Sequence, residues 1–227
     1  MKKLLGVFLF VSLLNTANAQ NGELFVDLNY STFSFSQLRE LQDDQLKGVK
    51  DYPLAVNDDF SSNIGFTLGY KINNQFAAYF SYNTTGGKIS YADYSGVIRL
   101  TQPLKQYVLG GMYTFPLLEN SENFRFGFKA FASFTSMEIN SYSKLLDNSS
   151  EDSIELRSTG LGIGPTLIYE QPIWKVRLRF SMAYDLVFNG KLTLKDNDDM
   201  HLEDSSGDDI KADWSGIRAG IGISIPI

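Results

Sequence analysis

The chain has 227 residues, no cysteine and a formal net charge of −6. The absence of cysteine excludes a disulfide framework, a thiolate metal site and lipid attachment through an N-terminal cysteine. The acidic balance argues against a nucleic-acid-binding protein, which would carry a basic surface.

Residues 1–19 predict a secretory signal peptide. They have a positively charged start, an apolar core over residues 4–14 and a small-x-small cleavage site at residues 17–19. The mature chain, residues 20–227, is expected to form one domain. It contains nothing close to the roughly 18 consecutive apolar residues of a membrane-spanning helix, so a membrane protein of this composition would have to be a β-barrel.

Apolar and polar residues alternate with a period of two along most of the mature chain, which predicts β-strands. The longest such run is 174–188, where the even positions are apolar and the odd positions include Lys175, Arg177 and Arg179. Such a run is long enough to cross a bilayer, which takes about 9–11 tilted residues. In chain order, the predicted strands are residues 23–33, 62–72, 75–91, 98–115, 124–139, 157–169, 174–188 and 217–227.

The connections between these strands alternate in length. Short turns are predicted at residues 73–74, 116–123 and 171–172, and long loops, which together are acidic, are predicted at residues 34–60, 87–97, 140–156 and 189–213. The long loops follow strands one, three, five and seven. An even number of strands with this asymmetry is typical of bacterial outer-membrane barrels, whose long loops face outwards and whose short turns face the periplasm.

Two local features interrupt the pattern. Ser34 and Gln37 fit a capping box, which predicts a short helix within the first long loop; a disordered polar loop is the alternative. Pro103 and Pro165 cannot donate to a strand ladder. We therefore expect Pro103 above the bilayer or at a bulge, and Pro165 at a local bulge.

Alternation alone does not tell which face of a barrel is the core, because a soluble lipocalin-like barrel has the same period. The polar face is rich in glycine, which costs stability in a strand but leaves room in a crowded lumen. Aromatic residues lie near strand ends on the apolar face, as Tyr70 and Phe76 do, which is typical of interfacial girdles. The sequence therefore predicts an all-β, eight-stranded antiparallel up-and-down transmembrane β-barrel in the cell outer membrane.

The mature chain resembles the small outer-membrane β-barrel proteins often called the porin family, especially those of Bacteroidota, where a signal peptide ending in alanine before glutamine, as in Ala19-Gln20, is common. The resemblance covers residues 20–227 and depends on the strand pattern. It implies a barrel inserted into outer-membrane lipids by the outer-membrane assembly machinery. Such barrels often end in an aromatic residue that this machinery reads, whereas this chain ends Ile225-Pro226-Ile227.

Charged residues on the polar face predict the content of the lumen. An eight-stranded barrel is just wide enough for side chains to fill it, so no water-filled channel is expected. A packed network of ion pairs is the favoured interpretation, and a gated polar path is the alternative. The predicted lumen residues are Asp27, Lys71, Arg125, Lys129, Glu170, Lys175, Arg177, Arg179, Asp185 and Arg218.

The fourth long loop holds the remaining candidates for chemistry. Its acidic residues between 196 and 209 suit calcium but lack the spacing of an EF-hand, so a solvated acidic loop is favoured. His201, the only histidine, lies near Asp204 and Ser205 and gives the sole enzyme candidate. The chain has no phosphate-binding loop, nucleophile elbow or zinc-binding spacing.

These observations predict a non-enzymatic integral outer-membrane protein without a cofactor or a bound metal. Its barrel would anchor acidic surface loops that serve envelope integrity, adhesion or contact with an external ligand. The alternative is a porin-like transporter of small or hydrophobic solutes.

Overall fold

The computed structural model describes residues 22–48, 54–61, 63–94, 96–118, 121–146 and 148–227, so the predicted signal peptide lies outside the described residues. The helix found in this part of the chain is too short and too polar to cross a membrane. The elements are β1 (Glu23–Phe33), α1 (Ser36–Gly48), β2 (Ala55–Asp59), β3 (Asn63–Lys71), β4 (Phe76–Asp93), β5 (Gly96–Leu118), β6 (Ser121–Leu145), β7 (Asn148–Ile173), β8 (Val176–Asn189), β9 (Thr193–Leu194) and β10 (Gly216–Pro226).

Eight of these strands close into an antiparallel barrel, as predicted. Around the ring their order is β1, β3, β4, β5, β6, β7, β8 and β10, and β10 pairs with β1 to complete it. The closing pair runs from Glu23 opposite Pro226 to Phe33 opposite Gly216. Because each barrel strand pairs with the next one along the chain, the topology is up-and-down.

The wall of this barrel is apolar outside and polar inside. Exposed apolar side chains on β1 and β10 are Leu24, Val26, Leu28, Tyr30, Ile217, Ile221, Ile223 and Ile225. Asp27 and Arg218, which have the opposite parity on the same two strands, are buried. The strand period therefore directs apolar residues outwards and charged residues into the lumen, the reverse of a soluble barrel.

Aromatic rings line the outer face near both ends of the wall. Phe76 and Tyr113 lie on neighbouring strands beside the short turns, with ring centroids 4.9 Å apart. Tyr82 and Tyr107 form a second pair nearer the other end, at 5.3 Å. Cross-strand aromatic contacts of this kind stabilise sheets and also suit a membrane interface.

Two hairpins continue beyond the barrel at its long-loop end. The ladder of β4 with β5 extends to the turn at Tyr94, and that of β6 with β7 extends to the turn at Leu146. Here β2 adds to the edge of β4 and β9 adds to the edge of β7. We call β2, β9 and these ends of β4 to β7 the extension. The prediction of loops at 87–97 and 140–156 is wrong, because backbone pairing between neighbouring strands continues where the side-chain alternation fades.

A hydrophobic core closes the barrel at the same end. It joins α1 to residues 190–215, which together we call the cap. At its centre, Trp214 is fully buried, and its ring lies edge-on 5.3 Å from Phe33 and 5.0 Å from Phe35. The Trp214 indole N–H donates to Thr135 Oγ1 at 3.0 Å, which ties the cap to β6. The buried members are Phe33, Phe35, Leu38, Leu41, Phe60, Leu104, Met137, Leu156, Leu192, Ile210, Ala212 and Trp214.

The predicted helix is present as α1, but the predicted capping box is not. The side-chain carbonyl of Gln37 accepts a hydrogen bond from the backbone N–H of Lys211 at 3.0 Å. Gln37 therefore joins α1 to residues 190–215, and the backbone N–H of Ser34, which a capping box would satisfy, donates to the carbonyl of Ser215 at 2.9 Å.

Three predictions about turns and prolines also need correction. The turn expected at residues 171–172 lies at Trp174-Lys175, because β7 stays paired with β8 as far as Ile173. At Pro165, the β7–β8 register is the same on both sides of an interruption. Pro165 thus omits its ladder bond without a bulge. Likewise, the turn expected over 116–123 is shorter, since β5 ends at Leu118 and β6 begins at Ser121.

Candidate functional site: the closed lumen and the cap

An ion-pair network fills the lumen at its short-turn end. Lys71 Nζ lies 2.7 Å from Glu23 Oε2 and 2.6 Å from Glu170 Oε2. Arg179 continues the network, with Nη1 2.6 Å from Glu170 Oε1 and Nε 3.0 Å from Asp27 Oδ2. These contacts join four strands across the barrel. They pair every one of these buried charges, which is the condition for burying charge at acceptable cost.

A second cluster lies deeper in the lumen. Asp185 Oδ1 lies 2.5 Å from Lys129 Nζ, and Asp185 Oδ2 lies 3.1 Å from Arg218 Nη2. All three side chains are buried. Since one carboxylate serves two cations, this cluster carries an excess positive charge, whereas the network beside the turns has three carboxylates and two cations.

Aromatic rings fill the space around these charges, and glycines make room for them. The guanidinium of Arg179 stacks 4.2 Å from the centroid of the Phe25 ring. A side chain added at Gly69 would collide with that ring, and one added at Gly162 would collide with Phe131. The glycines of the polar face thus allow large rings inside a narrow barrel. The buried lumen cluster comprises Phe25, Ala77, Tyr79, Val108, Met112, Phe131 and Ile168.

Uncharged polar side chains form the layer between the ion pairs and the cap. Asn83 donates to Gln106 Oε1 at 2.7 Å, and Gln106 donates to Ser133 Oγ at 2.8 Å. Below this layer, the lumen encloses a cavity of about 40 Å³ beside Asp27, Lys129 and other residues of both charge clusters. That space suits one or two water molecules rather than a solute.

The lumen opens at its short-turn end into a polar vestibule of about 390 Å³, lined in part by Lys71, Glu170 and Arg177. Arg125, at its wall, donates to Thr114 Oγ1 at 3.1 Å and to the backbone carbonyl of Asn74. Arg177 is more exposed, with Nη1 3.5 Å from Glu23 Oε2. The vestibule ends at the first ion-pair network.

Most of the charged residues predicted for the lumen therefore lie there. Lys175 does not: it is exposed in the turn, where its Nζ lies 5.6 Å from the centroid of the Trp174 ring. The prediction failed at Lys175 because the hairpin turns three residues later than expected, which leaves Lys175 in the turn and not in a strand. Sequence reasoning also omitted Glu23, Asn83 and Gln106, although the same strand parity that identified Asp27 points them into the lumen.

The cap does not assemble the predicted enzyme candidate. His201 Nε2 lies 2.9 Å from Glu203 Oε1 and 2.9 Å from Asp209 Oδ1, rather than against Ser205. Ser205 instead donates to Asp44 Oδ2 on α1 at 2.8 Å. Hydrogen bonds from Lys47, which has the larger effect, and from Ser205 lower the pKa of the Asp44 carboxyl group.

Two other acidic residues between 196 and 209 have partners outside this group. Asp198 pairs with Arg157 of β7 at 2.8 Å. Asp204 accepts from the backbone N–H groups of Ser206 and Asp208, at 2.8 and 2.9 Å, and so shapes a turn. A solvated acidic loop stays the prediction for this segment, with calcium binding as the alternative.

No protein-family model matches the chain, and no curated protein matches it. Similar solved structures include Neisserial surface protein A, which is 13% identical over 91% of this chain and 97% of that chain, with a TM-score of 0.37. The outer membrane protein OprG from Pseudomonas aeruginosa is 11% identical over 91% and 95%, with a TM-score of 0.45. The attachment invasion locus protein Ail of Yersinia pestis is 13% identical over 91% and 99%, with a TM-score of 0.34. These likenesses are weak, so the description of the barrel depends on its own strand pairing.

Proposed function

We propose that the chain is a non-enzymatic integral outer-membrane protein that acts through the surface it presents outside the cell. The observation that carries this proposal is the inverted wall, with an apolar belt outside and paired charges inside. In water, such a belt would expose a far larger continuous apolar surface than soluble monomers tolerate. In a bilayer, the same belt contacts lipid and the closed ring leaves no unpaired strand edge.

The barrel then serves as an anchor rather than a pore. The ion pairs of Lys71, Arg179 and Asp185 cross the lumen, and the cap packs over its other end. By the usual asymmetry of outer-membrane barrels, the cap and the extension face outwards and the short turns face the periplasm. Outer-membrane lipids and the assembly machinery are the expected partners. The cap and extension would serve adhesion, envelope integrity or contact with an external ligand.

A porin-like transporter of small or hydrophobic solutes is the second candidate. The polar vestibule of about 390 Å³ favours it, because a solute entering from the short-turn side would meet charged side chains there. The ion-pair network at the end of the vestibule favours the anchor.

A matched pair of lysine substitutions tests the membrane assignment. Ile221 is an exposed apolar residue halfway along β10, and Leu146 is an exposed apolar residue at the tip of the extension. For the protein folded in lipid vesicles, Ile221→Lys should reduce the free energy of unfolding by about 2–4 kcal/mol, because it places a charge near the bilayer midplane. Leu146→Lys should change it by less than about 0.5 kcal/mol, as for an ordinary surface position.

Cell fractionation and gel mobility accompany this measurement. The wild-type protein should fractionate with outer membranes and should change its mobility on a denaturing gel only after boiling. Recovery in a soluble fraction, together with equal small effects of both lysine substitutions, would mean that the apolar face is not in contact with lipid.

A further inference from the structure

Three short segments of the cap are tied together into a rigid unit. The backbone N–H of Leu192 donates to the carbonyl of Ile210 at 3.0 Å, that of Leu202 to Leu192 at 2.8 Å, and that of Ile210 to Leu202 at 2.9 Å. The side chains of Leu192 and Ile210 are buried in the cap core, and Leu202 packs against it. We call residues 191–194, 200–204 and 208–210 the clasp. Because Leu192, Leu202 and Ile210 face the core, the polar residues next to them in sequence lie on the opposite face of the clasp.

That opposite face brings one imidazole and two carboxylates together. His201 forms an isolated antiparallel β-bridge with Thr193, and Glu203 forms another with Asp209. The potential ligand atoms of His201, Glu203 and Asp209 all lie within 4.8 Å of one another. The Nε2 atom of an imidazole carries at most one proton and can donate it to only one carboxylate. Two acceptors therefore converge on a nitrogen that can satisfy one of them.

We propose that His201, Glu203 and Asp209 form a binding site for a divalent transition-metal ion, for which zinc is the best fit. One imidazole nitrogen and two carboxylate oxygens are a ligand set that zinc accepts, whereas calcium takes oxygen ligands alone. The two carboxylates balance the charge of the ion. His201 is about one-fifth exposed, with a side-chain exposure of 22%, so an ion can enter and keep a water ligand.

Lys191 tunes this site from the other side of the ring. Its Nζ lies 3.1 Å from His201 Nδ1. The ammonium group is only a donor, so this contact makes Nδ1 the acceptor and leaves the ring proton on Nε2. A metal bound at Nε2 needs the other tautomer, with the proton on Nδ1 and an acceptor facing it. The Lys191 hydrogen bond therefore competes with metal binding.

This inference does not depend on the membrane assignment, because the clasp lies in the cap. The test is calorimetric titration of ZnCl₂ into the tag-free, chelator-treated, folded mature protein. We expect one zinc ion per chain. His201→Ala and Asp209→Asn should each weaken zinc binding at least about tenfold, because each removes a metal ligand. Removing a residue that only supports a ligand already costs about tenfold in metal affinity.

Two further variants make the test specific. Lys191→Gln should tighten zinc binding about tenfold, because the glutamine carbonyl can accept from Nδ1–H where the ammonium cannot. Asp208→Asn removes the same charge as Asp209→Asn from the adjacent residue, outside the ligand group, and should leave zinc affinity within about twofold, since exposed charges in high dielectric interact weakly. CaCl₂ should bind much more weakly than ZnCl₂.

The boiling shift of each variant reports whether its barrel is intact, and the resistance of residues 190–215 to an added protease reports whether its cap is intact. If His201→Ala does not fold, Asp209→Asn still tests the proposal, because the amide and the carboxylate have the same shape. Absence of saturable one-to-one zinc binding by the wild-type protein would overturn the proposal. So would an equal loss from Asp208→Asn and Asp209→Asn, which would indicate diffuse attraction to an acidic loop, or weaker binding by Lys191→Gln.

Discussion

Arg179 and Arg177 lie two residues apart on β8, on the same face, but in different surroundings. The Arg179 side chain is 2% exposed and pairs with two buried carboxylates, whereas that of Arg177 is 44% exposed and makes longer contacts. Arg179→Met should reduce the free energy of unfolding by about 3–5 kcal/mol, because Asp27 and Glu170 lose their shared partner. Arg177→Met should cost less than about 1 kcal/mol, as for an exposed ion pair. Urea unfolding of both variants in the same lipid vesicles measures this difference. Equal losses of unfolding free energy in the two variants would mean that water reaches the ion-pair network.

At the scale of elements, the cap and the barrel wall are stabilised separately. The wall is closed by strand ladders, whereas the cap is held by packing around Trp214. Trp214→Ala should remove about 3–5 kcal/mol of packing from the cap. We expect a protease added from outside to cut residues 190–215 much faster in this variant while the boiling shift of the barrel persists. Met200→Ala, at an exposed position in the same segment, should leave the cleavage rate unchanged. Loss of the boiling shift in Trp214→Ala would show that the wall depends on the cap.

The whole molecule is closed along its axis at two levels, by the ion-pair clusters and by the cap. The space among the ion-pair clusters is about 40 Å³, which suits one or two water molecules. We therefore expect no steady ion conductance after insertion into a planar bilayer, because an ion would have to break paired charges in a narrow lumen. A 16-stranded porin inserted under the same conditions provides the positive control. Reproducible ohmic steps from the folded wild-type protein would favour the transporter over the anchor.

Much of the barrel follows from local chemistry and was predictable. In β1, alternation alone assigned Val26 and Leu28 to one face and Asp27 to the other, because successive side chains of a strand point in opposite directions. The charged residues of the lumen followed from the same parity. Where the alternation faded, as in residues 140–156, the prediction of a loop failed, because a neighbouring strand supplies hydrogen bonds whatever the side chains are.

The sequence by itself determined the eight barrel strands, their order and which face of each strand enters the lumen, since these depend on a period of two and on turns between neighbours. Only the tertiary structure decided which distant groups meet. Ser205 reaches Asp44 across 161 residues of sequence, and the clasp sets Asp209 beside His201 without any recognisable metal-binding spacing. Such contacts arise when separate segments pack on one hydrophobic core, here the cap around Trp214, and no local pattern encodes which residues will then face each other.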